Sequence, residues 1–344
     1  MRRVSTNPAV GAELVPMFRD HLELDGVGPG QTVLAFTNTM TNGNYAAATM
    51  TGAKLLGADA YQITVPMGND WMESRSIVDA WKSADLVVGL LQSTDTHWIY
   101  SDAHNEALDA GVRTLMVEEP EDILRRMFPT PDLRQRVEAG NRYMHDARTI
   151  RITSDAGTDM TMSKEGRIGS AQYGYSDVGG RWDHWPSGFV GTAPLEESAE
   201  GVLVVDVGDV LLALGRYVES PIRLTFHEGY VTDIEGGTDA RLMRDFFEAA
   251  DDKRAYQVSH VGWGAEKRAL WNTVGLRFWE GGGVMDVESF YGNMLFAFGQ
   301  NFFRMLGGDN HCNFHLDVPT RNHSFWVDDT QVLDRGKFLI PELV

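Results

Sequence analysis

Apolar positions in the first 150 residues fall into runs of two alternating kinds. Residues 32–36 and 60–65 are short strand-type runs, and 85–91 is continuously apolar, as a strand buried on both faces would be. Between them, 46–56 is small and apolar with helical character. Residues 74–83 place Ile77, Val78 and Trp81 at helical spacing. A helix closing at 105–110 before Gly111 and a strand at 112–117 complete a βαβα order, which predicts a parallel sheet flanked by helices. Residues 132–147 form a long polar helix with Leu133, Val137 and Tyr143 on one stripe. Beyond about residue 150 strand signals follow one another at 149–153, 201–207, 222–226 and 230–234, with a hairpin turn at 227–230 and one clear helix at 239–250. The expectation is therefore an α/β domain over 1–150 with a mainly parallel sheet. An α+β, barrel-like domain follows over 151–344, where glycines and long loops are dense.

Composition narrows the function. The 344 residues carry 30 basic and 49 acidic side chains, a net charge of −19. Such a chain is no general nucleic-acid binder and no polybasic membrane-surface protein. One cysteine, Cys312, excludes a disulfide scaffold and a zinc ribbon. No run of about 18 apolar residues occurs, and the first residues lack an apolar leader core. A soluble, reduced, cytoplasmic protein is expected. Gly26-Val27-Gly28-Pro29-Gly30 looks like a fragment of a dinucleotide loop. It precedes a strand instead of following one, and Pro29 lacks a donor, so it reads as a tight turn.

Candidate chemistry concentrates near the C-terminus. In His311-Cys312-Asn313-Phe314-His315-Leu316-Asp317-Val318-Pro319, strand alternation puts His315 and Asp317 on one face, with His311 on the same side. An imidazole and a carboxylate suit a divalent first-row metal, but two ligands hold it poorly. His260, in Ser259-His260-Val261-Gly262-Trp263-Gly264, is the best source of a third, giving two histidines and one carboxylate with open positions on iron. The plainer alternative is that these are hydrogen-bonded core or surface histidines. A third cluster, Gln172-Tyr173-Gly174-Tyr175-Ser176-Asp177 with Arg181-Trp182-Asp183-His184-Trp185-Pro186-Ser187, carries aromatic faces suited to a planar ligand. It would serve equally as a structural loop.

At these residues the sequence resembles the 2,5-dihydroxypyridine 5,6-dioxygenase family. The resemblance is most specific over Gly180 to Phe189, Ser198-Ala199-Glu200-Gly201 with Asp206-Val207-Gly208-Asp209, Ser259 to Gly264, and His315 to Pro319 with Arg321-Asn322. It implies a mononuclear non-haem Fe(II) enzyme that opens a hydroxylated N-heteroaromatic ring with O₂, the iron held by His260, His315 and Asp317. It also implies a homo-oligomer. Tyr173, His184, Ser187 and Trp263 are the pocket-wall candidates.

Two departures from the family stand out. Where its members are expected to carry an acid/base His after the apolar strand, this chain has Gln92, and where they carry Glu it has Gln172. Glutamine bonds but does not titrate at neutral pH. His184 becomes a candidate proton carrier; His97 and His104 could also stand in, but they read first as helix-surface histidines. An iron oxygenase with a changed ring substrate is the first alternative. A second is a hydrolase like the two-metal aminopeptidases of thermophiles, which the family resembles distantly. There the peptidases carry a metal-binding Glu where this chain has Phe189, and the bridging carboxylates of a two-metal site are missing. A metal-free binding protein is the non-enzyme alternative.

Overall fold

The computed structural model describes residues 8–68, 70–91, 98–274 and 284–344. Two compact units emerge, each discontinuous in sequence: Met1–Pro129 with Tyr173–Ser187, and Thr130–Gln172 with Gly188–Val344. The sequence pattern places one boundary at residue 150. In the structure the helix Pro131–Asp146 belongs to the second unit, and the aromatic segment 173–187 returns to the first.

The first unit is a five-stranded, wholly parallel sheet in the order Asp59–Val65, Thr32–Asn38, Leu86–Gly89, Arg113–Met116, Trp182–His184. Helices Gly43–Leu55, Arg75–Lys82 and Asp102–Asp109 match the predicted ones to within a few residues. The helix Pro8–Leu24 was not foreseen, because Gly11 and Pro16 interrupt its pattern. Its buried Leu14, Phe18 and Leu22 do keep helical spacing and join the core with Val33, Val88 and Leu115. Gly52 lets the helix Gly43–Leu55 approach it closely, since a Cβ there would lie 3.0 Å from the Arg19 amide nitrogen. The glycines at 26–30 form the expected turn, with Gly26 and Gly30 at φ of 75° and 84°. The fifth strand, only three residues long, has no sequence signal of its own.

The second unit is antiparallel. An eight-stranded sheet and a five-stranded sheet share an aromatic core, where Phe226 of the larger sheet packs on Phe296 and Phe298 of the smaller at 5.7 and 6.1 Å. The helix Thr238–Glu248 adds Phe247, 5.2 Å from Phe298. The predicted hairpin joins Ile222–His227 to Tyr230–Gly236 through Glu228 and Gly229, both at positive φ, the form that matches strand twist. Among the described residues both sheets end in distinct edge strands, so the expected barrel-like closure is not part of the observed pairing. No helix among the described residues is long and apolar enough to cross a membrane.

Candidate metal centre

The smaller antiparallel sheet runs His315–Thr320, Met294–Gly299, Val258–Gly264, Phe189–Thr192, Ser170–Gln172. Its register decides which side chains share a face, because directly opposed residues point the same way. Asp317 opposes Ala297, Gly262 opposes both Leu295 and Gly191, and Phe189 opposes Gln172. One face therefore carries His315 and Asp317 at one side, Phe189 and Gln172 at the other, and Ala297, Gly299, Gly262 and Gly191 between. The opposite face carries Leu316, Phe298, Phe296, Val261 and Trp263 and is the core.

His260 reaches the first face through a bulge. Val258 opposes Phe298 on the core side, but the pairing slips by one residue before Val261 opposes Phe296. The extra residue inverts the alternation, so Val258 packs inward while His260, two residues on, is presented beside the other ligands. Its Nε2 lies 3.4 Å from Asp317 Oδ1, and His315 Nε2 lies 3.1 Å from Asp317 Oδ2. One ligand atom from each of the three residues lies within 4.8 Å of the other two. Adjacent ligands on an ion at about 2.1 Å stand about 3 Å apart, so the donor set fits a small divalent cation. Burial pushes His260 down to about 4, against the opposing pull of Asp317, so its ring is neutral and able to ligate at pH 7. His315 Nδ1 donates to the Gln300 carbonyl at 3.3 Å, which leaves Nε2 directed at Asp317. His311 lies before the strand, exposed and stacked on Phe302 at 3.7 Å, outside the triad.

Other sequence candidates are placed differently. Trp263 faces the core, fully buried and edge-on to Phe325 at 5.2 Å; it is no pocket wall on the His260 side. Tyr173 is occupied by its own loop, with the Arg181 guanidinium 3.8 Å from its ring centre, Tyr175 at its edge and its hydroxyl on Asp177 at 2.9 Å. Ser187 is fully buried. Gln172 shares the ligand face, two strands from His260. Gln92 and His97 lie outside the described residues. His104 is a core residue, bonded to Ile99 O and Thr114 Oγ1, and not a helix-surface histidine.

His184 closes the fifth strand of the parallel sheet. Its Nδ1 donates to the Pro186 carbonyl at 3.0 Å, so Nε2, 3.5 Å from Glu118, is the atom free to gain or lose a proton. Burial lowers its pKa, but the Glu118 and Glu119 carboxylates outweigh that and raise it above the usual value. Glu118 belongs to no motif of the sequence. Its only signal was a position just past the carboxyl end of a parallel strand, where ligands gather in such sheets.

A family model, NicX, 2,5-dihydroxypyridine 5,6-dioxygenase, matches residues 13–340. A 2,5-dihydroxypyridine 5,6-dioxygenase of Pseudomonas putida KT2440 is 36% identical over 351 residues, 97% of this chain and 98% of the relative. The solved 2,5-dihydroxypyridine dioxygenase structure from Pseudomonas putida KT2440 superposes with a TM-score of 0.89 at 35% identity, covering 97% of this chain and 99% of that one. AmpT from Thermus thermophilus shares the fold, with a TM-score of 0.60 at 16% identity over 94% of this chain and 99% of its own. The chain belongs to the 2,5-dihydroxypyridine 5,6-dioxygenase family.

Proposed function

We propose that this member of the 2,5-dihydroxypyridine 5,6-dioxygenase family opens a hydroxylated N-heteroaromatic ring with O₂ at one Fe(II) held by His260, His315 and Asp317. The observation that carries the reading is the convergence of two imidazoles and a carboxylate on one sheet face. Three protein ligands leave room for a chelating substrate and O₂ together. Bound there, iron would supply the electron transfer that lets O₂ and the ring react, which is the metal's chemistry and not the chain's.

The protein's part is orientation and proton handling. The Gln172 amide can donate to or accept from a ring hydroxyl or nitrogen, but it moves no proton. Within the first unit, His184 Nε2, whose charge state Glu118 supports, is the group able to take up or release a proton. With Gln92 and Gln172 uncharged, a ring related to 2,5-dihydroxypyridine but differently substituted is the second reading. A hydrolase is disfavoured. Among the described residues the single cluster of three or more metal-capable side chains holds one carboxylate, and a two-metal site needs more.

O₂ uptake by anaerobically purified, Fe(II)-loaded protein with 2,5-dihydroxypyridine tests this. Iron-dependent uptake with loss of the ring's ultraviolet absorbance supports the family's own reaction. Uptake only with other hydroxypyridines moves the proposal to the second reading. His315→Ala should weaken iron binding beyond the roughly 100-fold that changes behind a ligand cost. Stoichiometric iron and full activity in that variant would refute the site.

A further inference from the structure

The two histidine ligands are held in different ways. His315 has the usual device, its Nδ1 donating to the Gln300 carbonyl. His260 has no such bond: its Nδ1 is buried, and no group among the described residues pairs with it. A ring without a hydrogen bond on its far nitrogen can turn about its Cβ–Cγ bond unless packing stops it. Two rings pack against it: that of His315, itself a ligand, tilted at 5.3 Å between centres, and that of Phe189. The latter meets the His260 ring edge-on, 5.9 Å between centres and 68° between planes. The Phe189 ring is itself confined. It lies over Gly191 and Gly262, where an added Cβ would stand 2.3 Å from its Cε1 and 2.8 Å from its Cζ respectively. Both glycines share its sheet face. Phe189 is 3% exposed, so the ring has no outward route.

We infer that Phe189, seated on Gly191 and Gly262, is the positioning residue for His260, doing by packing what a hydrogen bond does for His315. The inference rests on the proposed metal site and deepens it. It also gives Gly191 a reason: it keeps clear the volume in which the ring lies, and a side chain there would displace the ring. Phe189 touches neither iron nor substrate in this role. It acts through the orientation of one imidazole.

Metal affinity, read apart from turnover, tests the role. Phe189→Leu keeps an apolar group but loses the flat edge, and Gly191→Ala keeps the ring but displaces it. Each should bind Fe(II), titrated anaerobically against a chromophoric chelator, about 10- to 100-fold more weakly than wild type. The metal-free forms should unfold with near-wild-type cooperativity. If one variant fails to fold, the other is read. A further measurement needs no variant. In Zn(II)-loaded wild type, nitrogen NMR of the two ligating imidazoles should show one hydrogen-bonded Nδ1–H and one without a protein acceptor. Wild-type affinity in a folded variant, or two hydrogen-bonded rings, overturns the role of Phe189. A wild-type chain that binds neither metal overturns the metal site itself, which separates the two failures.

Discussion

Single residues in this chain do work that their type alone does not announce. Lys164 is fully buried, and its ammonium donates to the carbonyls of Ala147 at 2.8 Å, Arg167 at 3.0 Å and His145 at 3.3 Å. It closes the carbonyl end of the helix Pro131–Asp146, where backbone acceptors would otherwise lack partners. Lys164→Met should therefore cost about 2 kcal/mol in urea unfolding, the penalty of leaving buried acceptors unsatisfied. A loss within error would mean that water takes the ammonium's place. Two histidines set an acid limit in the opposite chemical sense. Burial holds His104 and His323 down to about 4, so both stay neutral when folded. The unfolded chain binds protons first, near 6.5, so stability present above that pH is lost as pH falls toward 4, by up to about 3 kcal/mol per residue. Asp209, raised to about 7 by burial, pulls the other way over part of that window. The measurement is therefore the difference between wild type and His104→Asn, whose unfolding should show a shallower loss between pH 6.5 and 4.

At the scale of elements, short local signals set the ends and the faces. The helix Pro131–Asp146 opens with Thr130, whose side chain accepts from the Leu133 amide, followed by Pro131 at the first turn. Thr130→Ala should cost about 1 kcal/mol by thermal or urea unfolding; an unchanged midpoint would show that packing alone holds this end. The strand Val258–Gly264 shows the limit of such signals. Plain alternation would send Val258 and His260 to the same side, and the one-residue bulge sends them to opposite sides. Gly262 sits where that strand meets its neighbour, an added Cβ falling 2.0 Å from the Val190 carbonyl oxygen. A side chain there would open the pairing that carries His260.

For the whole molecule, the testable property is linkage between metal and stability. An ion that binds the folded chain and not the unfolded one stabilises by about 2.7 kcal/mol at a hundred times its dissociation constant. Fe(II) or Mn(II) should raise the unfolding midpoint of wild type, a chelator should reverse the rise, and His315→Ala should show none. A rise that persists in His315→Ala would place the stabilising ion elsewhere.

Much was legible without coordinates wherever the information is local. The βαβα order of the first 117 residues, the hairpin at 227–230 and a helix at 239–250, observed as Thr238–Glu248, follow from periods of 3.6 and 2 and from turn residues, which neighbours along the chain enforce. His315 and Asp317 share a face by the same rule, since two residues make one repeat of a strand. Other features depend on which strands pair, and pairing is settled by what each face buries. Only the fold sets His260 beside Asp317 across the strand Met294–Gly299, turns Trp263 into the core, and closes Tyr173 beneath Arg181. The fold also assigns 173–187 to the parallel sheet's unit, through a strand too short to signal itself. The alternation of a strand is carried by its own backbone. The choice of its neighbour, and the insertion of a bulge that reverses that alternation, are decided by the packing of residues far apart in sequence.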